Sequence, residues 1–284
     1  MIRPDVRSRL PKATDRLPVG TTGLSVSPLC LGITSPGVVR AAFEAGVNFF
    51  FLTGDLHWPL YEGLRRGLAD LFASVPASRD QVVVAVTSYL EEPMFRYLQF
   101  HEVIAAVPGL QRVDILVCGA VAGGASLGAR LPGIQRARSA GHLGARAIGA
   151  SFHDRATAVA SLNSDLLDLH YIRYNTAHPG AEVDLFPLLK ADRTSLLFNF
   201  KSMLSVVSAE RFHQLGFGGD DWLPRPVDYY RFVISEPRID GLLCSPATDQ
   251  ELSELIALLE QPPLSTQQRE YMAWLSTLAT PRYF

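Results

Sequence analysis

The chain has 284 residues, 48% of them hydrophobic and 19% charged, and 26 Lys and Arg against 28 Asp and Glu leave a formal net charge of -2. This composition describes a globular protein with an ample core, and so even a charge balance argues against nucleic acid or an anionic membrane surface as the main partner. No apolar run approaches the ~20 residues needed to span a bilayer.

Residues 1–16 are polar and lack the apolar core and small-residue cleavage site of a secretory signal, so a flexible extension is expected there, followed by one domain over 17–284. The three cysteines, Cys30, Cys118 and Cys244, are too scattered for a disulfide framework or a metal site, and a reducing cytoplasm fits them best. Gly20 and Gly23 mark turns around Leu24–Leu31, which predicts a small hairpin feeding a first strand. Pro36 to Ala45 has helical spacing and is stopped by Gly46. Val47 to Leu52 is too short and too β-branched and aromatic for a helix and suits a strand buried on both faces. Beyond it, Thr53–Pro59 gathers Asp55, His57 and Trp58.

The alternation continues along the chain. Helices are expected at about 60–74, 93–107, 127–140, 154–162, 181–189, 226–235, 249–260 and 266–275. Strands are expected at 81–87, 113–118, 146–149, 167–173, 195–200 and 239–244, and a Gly-rich, irregular insertion runs from Lys201 to Pro224. Eight strand-then-helix units without a linker specify parallel strands, and in this length they favour closure into a (β/α)8 TIM barrel, an α/β fold with an N-terminal β-hairpin. In such a barrel the strand ends share one mouth, so polar residues far apart in sequence converge there.

Several stretches resemble aldo-keto reductases. The opening Gly20–Gly32 is similar to the family's hairpin and first strand, and so are Ala45–Phe50, Arg146–Ser151 and Arg173–Asn175 to later family segments. The run Gly241–Thr248, just before a helix, looks like the family's pyrophosphate-binding loop. The resemblance implies this fold from Leu17 onward and NADP(H) as cofactor. It also implies a tetrad: an aspartate after the second strand, a tyrosine that protonates the carbonyl, a lysine after the third strand and a histidine after the fourth. Here Phe51 or Leu52 stands at the aspartate's place, while Asp55 matches a later position. His57 falls about where the tyrosine belongs, Ser88 beside Tyr89 takes the lysine's place, and Cys118 or Gly119 the histidine's. Of the pair that holds the carboxamide, Ser151 remains and Phe152 replaces an asparagine.

The residues themselves offer other chemistry. Asp55 two residues from His57 can fix an imidazole's tautomer and raise its basicity, as a general acid or base needs, or the histidine can simply pack beside Trp58. Tyr89 can act as an acid if a cation lowers its pKa, or cap the barrel wall. Lys201 is the one lysine predicted at the mouth, fit to be a base, a Schiff-base nucleophile or a counter-ion, or a solvated side chain. His153 and His178 are candidates to touch substrate with Trp58, Ser88 and Cys118, and Asp154 suits a helix N-cap. For a cofactor, Ser151, Asn175, Asn199, Ser245, Ala247 and Thr248 are the candidates, although Pro246 removes one amide donor and Asp249 is a poor neighbour for phosphate.

Three functions remain open on the sequence. The first is an aldo-keto reductase-like enzyme with a degenerate tetrad. It would use Asp55, His57, Tyr89 and Lys201 for redox-neutral lyase, isomerase or dehydratase chemistry on a small carbonyl- or hydroxyl-bearing metabolite. The second is an NADP(H)-dependent oxidoreductase with a relocated proton donor, and the third a non-catalytic binding barrel. The glycines of 216–219 permit either a lid over the mouth or a surface loop.

Overall fold

Glycines at positions 20 and 23, both with positive φ, close a short antiparallel hairpin of β1 (Leu17–Val19) and β2 (Leu24–Val26). The computed structural model to which this hairpin belongs describes residues 7–91 and 93–279, the side chains of 93–97 and 279 excepted. Eight parallel strands follow: β3 (Leu29–Leu31), β4 (Phe49–Thr53), β5 (Val83–Ser88), β6 (Ile115–Val121), β7 (Ala147–Phe152), β8 (Leu169–Arg173), β9 (Leu196–Phe200) and β10 (Gly241–Cys244). Among the described residues they pair in chain order, and β10 returns to β3 to close the barrel. The connecting helices are α1 (Pro36–Glu44), α2 (Glu62–Ser74), the one-turn α3 (Ser78–Gln81), α4 (Pro93–Ala106), α5 (Gly124–Ser139), α6 (Arg155–Leu162), α7 (Ala181–Asp184), α8 (Ala209–Gln214), α9 (Pro226–Ile234), α10 (Asp249–Leu258) and α11 (Thr266–Ala279). The expected (β/α)8 barrel and hairpin are therefore present. No described helix is long and apolar enough to cross a membrane.

Period-two alternation sends every second strand residue into the barrel. Phe49 and Phe198 meet edge to face at 5.3 Å, Phe51 and Tyr171 at 5.2 Å, and Tyr171 and Phe198 at 5.9 Å, so aromatic rings from three strands fill the interior. At the opposite end from the mouth, the residue before every second strand fixes the register of its neighbour. Asn48 accepts the backbone N–H of Ser27, Asp114 that of Val84, Asp168 that of Ile148 and Asp240 that of Leu197, all within 2.7–2.9 Å. Two of these carboxylates are buried with arginines, Asp114 with Arg79 at 2.9 Å and Asp240 with Arg193 at 2.8 Å. These arginines also donate to carbonyls of neighbouring segments, which ties the ends of the strands together.

Three segments depart from the sequence-based expectation. The helix expected over 181–189 is split into α7 and a 3-10 turn at Phe186–Leu188, because Pro187 has no N–H to continue the ladder. The insertion expected to be irregular contains a 3-10 turn at Ser202–Ser205 and α8, whose N-cap Ser208 accepts the N–H of Arg211 at 3.1 Å. It is packed onto α11 through ring contacts of Phe217 with Trp274 and of Trp222 with Tyr271. The flexible extension expected over 1–16 is corrected for residues 7–16. Leu10 and Ala13 are buried there, and Arg7 donates to the carbonyl of Ile239 at 2.7 Å. Thr14 lies where a Cβ on Gly46 would stand, 2.7 Å away, so that glycine, at φ +96°, is required both by its conformation and by the close approach. The rest of that expectation, residues 1–6, lies outside the described residues.

Candidate active site

A cavity of about 980 Å³ opens at the carboxyl ends of the strands. Its floor is the aromatic interior, Phe51 and Tyr171, and the Tyr171 hydroxyl lies 3.7 Å from the Cys30 sulfur. After β4 the chain turns through a 3-10 segment, Trp58–Tyr61, with Pro59 near its start. That turn brings Tyr61 down onto Phe51, ring centroids 6.3 Å apart, and leaves His57 on the lip. The His57 ring meets the Tyr89 ring edge-on at 5.2 Å. Neither the Tyr61 nor the Tyr89 hydroxyl bonds to a described residue, so both are open to a ligand in the cavity they line. Burial raises both phenols, Tyr89 to about 12 with help from the Asp55 charge. The two therefore stay protonated and act as hydrogen-bond donors. The cation expected to depress Tyr89 is replaced by the Asp55 carboxylate, which acts in the opposite direction.

Asp55 does not touch the cavity. One of its oxygens accepts the Tyr89 N–H at 2.7 Å and the Ser88 hydroxyl at 2.9 Å, so it positions the turn after β5. The buried Arg130 of α5 holds the same region from behind, donating to the carbonyls of Gly119 at 2.6 Å and Ser88 at 2.8 Å. At Gly119, one of the two places for the family's histidine, no side chain fits. A Cβ there would stand 2.6 Å from the Tyr89 ring.

The structure brings together His57, Tyr89, Ser151, His153, Lys201, Ser245 and Thr248 of the expected residues around the cavity. It places the others outside the lining. Trp58 lies under the Arg65 guanidinium at 3.7 Å, Ser88 is turned to Asp55 and Gln99, and Cys118 is fully buried in β6. His178 is tied to the Asn175 side chain at 3.1 Å. Asn175 and Asn199 are buried and spend their amides on the carbonyls of Lys201 at 2.9 Å and Tyr174 at 2.6 Å. Asp154 caps α6 as expected, accepting the Thr157 N–H at 2.7 Å. No residue between 204 and 225 lines the cavity, so the insertion is no lid in this conformation.

Sequence reasoning missed Tyr61, Tyr171, Tyr230, Arg130 and Glu251. The loop after β10 shows what Glu251 does. The Ser245 N–H donates to the Tyr230 hydroxyl at 3.3 Å, Pro246 has no N–H, and the Ala247 N–H donates to the Glu251 carboxylate at 2.7 Å. The Thr248 hydroxyl accepts the Glu251 N–H at 3.2 Å and so caps α10. Asp249 and Glu251 occupy the first turn of α10, and Glu254 joins Glu251 in the cavity wall. This loop does not fit a pyrophosphate. Positions 245–247 offer it no free amide, and carboxylates stand on the first turn where the negative charge would come. Among the described residues, no group of three or more His, Cys, Asp and Glu is gathered to hold a metal.

No protein-family model and no curated protein matches the chain. Among solved structures, that of a candidate aldo-keto reductase from Pseudomonas aeruginosa superposes with a TM-score of 0.66 at 16% identity, covering 90% of this chain and 98% of that one. The sequence resemblance and the closed barrel agree with that likeness: the chain carries the aldo-keto reductase fold, a (β/α)8 barrel behind an N-terminal hairpin.

Proposed function

We propose that the chain is a redox-neutral acid–base enzyme acting on a small carbonyl- or hydroxyl-bearing metabolite. The observation that carries this reading is the His57–Tyr89 contact on the lip of a cavity into which the Tyr61 hydroxyl also opens. His57 takes a proton from the carbon next to a carbonyl, imidazole being the side chain suited to proton transfer near neutrality. Tyr61 and Tyr89, kept protonated by burial, donate hydrogen bonds to the oxygen on which negative charge collects. Return of the proton to a different carbon is isomerisation, and departure of a hydroxyl from the neighbouring carbon is dehydration. Asp55 holds the turn that carries Tyr89 and touches no ligand. The capped α10 loop supports chemistry without NADP(H), because one of its amides is taken by the chain's own Glu251 carboxylate and the first turn of α10 carries Asp249 and Glu251 where a dinucleotide phosphate would come.

The test is proton exchange in heavy water, followed by proton NMR, on a panel of small ketones, 2-oxo acids and 3-hydroxy acids. Deuterium uptake or dehydration that is lost in His57→Ala and reduced in Tyr61→Phe supports the reading. Conversion of the panel only when NADPH is supplied counts against it.

A further inference from the structure

Two cationic side chains and a histidine stand on adjacent strand ends at one side of the mouth: His153 just after β7, Arg173 at the end of β8 and Lys201 just after β9. His153 and Lys201 line the cavity. Arg173 shares the strand face of Tyr171, whose ring is in the barrel interior. Neither Arg173 nor Lys201 donates a side-chain hydrogen bond or forms an ion pair with any described residue. The next cation around the rim, Arg155, is by contrast gripped by both oxygens of Asp184 at 2.5 and 2.6 Å. The charges are felt locally. After burial, Lys201 and then Arg173 push the His153 imidazole below its ordinary range, and Arg173, Arg155 and Lys201 do the same to His178. Like charges gathered without a counter-ion destabilise one another.

Lys201 carries a second cost. Its φ is +61°, a left-handed conformation that a non-glycine residue rarely adopts, and the Asn175 amide holds it there by donating to its carbonyl at 2.9 Å. Strain and uncompensated charge thus meet at one residue on the cavity wall, where Phe200 sets an aromatic face beside His153, centroids 5.9 Å apart.

We propose that Lys201 and Arg173, with His153, form an oxyanion-binding pole that takes the carboxylate or phosphate of the substrate, while an apolar, flat substrate body lies along Phe200, Tyr171 and Phe51. This rests on the proposed proton-transfer reading, in which the reacting carbonyl or hydroxyl lies toward His57 and Tyr61. It narrows the substrate class to small organic acids or phosphate esters.

The test is calorimetric titration of the whole protein at low salt with benzoate, its neutral counterpart benzamide, and inorganic phosphate. Benzoate is expected to bind at least ~10-fold more tightly than benzamide, a difference of about 1.4 kcal/mol. Lys201→Asn, whose side chain tolerates the left-handed backbone, and Arg173→Gln are each expected to weaken benzoate ~10-fold and to leave benzamide unchanged. Phosphate that displaces benzoate with the same dependence on Lys201 supports the pole and assigns the anion to a phosphoryl group. Inert phosphate beside bound benzoate supports it and assigns a carboxylate. Equal affinity for benzoate and benzamide, or benzoate binding indifferent to both substitutions, overturns it. Because this readout needs no turnover, a Lys201-dependent benzoate site without deuterium exchange would remove the proton-transfer reading and leave the pole standing.

Discussion

The Glu251 carboxylate accepts the Ala247 N–H at 2.7 Å, and the Glu251 N–H returns to the Thr248 hydroxyl at 3.2 Å. Two amides at the entrance of α10 are thereby taken by its own side chains. Glu251→Ala removes the acceptor of one of these bonds and leaves the Ala247 N–H without a partner. Chemical denaturation should show a loss of about 0.5–2 kcal/mol.

The Asp55 charge and burial together place the Tyr89 phenol at about 12. Asp55→Asn keeps acceptors for the Ser88 hydroxyl and the Tyr89 N–H but removes the charge, so the Tyr89 pKa should fall. The phenolate absorbance of Asp55→Asn, minus that of the same protein with Tyr89→Phe, reads this one residue. An unchanged or higher value contradicts the placement of the carboxylate beside the ring turn.

Gly119 is required by the ring above it, since a Cβ would stand 2.6 Å from Tyr89 and 2.9 Å from the Thr87 hydroxyl. Gly119→Ala should cost about 1–3 kcal/mol, as overpacking does. Paired with Tyr89→Ala, which empties the space, the same change should cost markedly less, and a double-mutant cycle by urea denaturation measures the difference.

His170 in β8 is fully buried, bonded to the Ser161 hydroxyl at 2.9 Å and stacked on Phe152, and burial with the Arg193 charge lowers its pKa to about 3. The unfolded chain's imidazole titrates near ~6.5. Above that value both states are neutral and the residue costs nothing. As the pH falls from ~6.5 toward 3, only the unfolded state takes up the proton, so stability is lost at up to about 1.4 kcal/mol per pH unit. Urea denaturation at pH 7 and pH 5 should show this loss in the wild type. A His170→Phe, Ser161→Ala double variant should lack that part of it.

At the base of the barrel, Asp114 serves both Arg79 and the Val84 N–H. Asp114→Ala leaves a buried guanidinium without its carboxylate and should cost about 3–5 kcal/mol. Asp80→Ala, which loses only the exposed pair with Arg112, should cost under ~1 kcal/mol. Parallel urea titrations give both numbers.

The barrel was legible in the sequence because eight short apolar runs alternate with helix-spaced segments, and the closed sheet follows their order. The broken helix at 181–189 was marked by Pro187 within its pattern, and α8 was hidden by the glycines around it. The candidate site was legible where a residue directly follows a strand, as with Tyr89, His153 and Lys201, or stands in the short loop after one, as with His57. Tyr61 lay inside what read as a helix, and the 3-10 turn that aims it inward depends on tertiary contact with Phe51. Tyr171 read as ordinary strand core, though its parity with Arg173 pointed it to the interior. Glu251 was missed although Thr248 and Glu251, three residues apart, have the spacing of a capping-box signature, the local signal that could have marked the entrance of α10 as capped.

The most direct test of the account is titration of the purified protein with NADPH, followed by cofactor fluorescence. With Glu251 occupying the loop amide and carboxylates on the first turns of α10, no saturable binding is predicted up to about 1 mM, weaker than roughly -4 kcal/mol. A micromolar Kd, about -8 kcal/mol, would show that the loop opens to a dinucleotide and would contradict the redox-neutral reading.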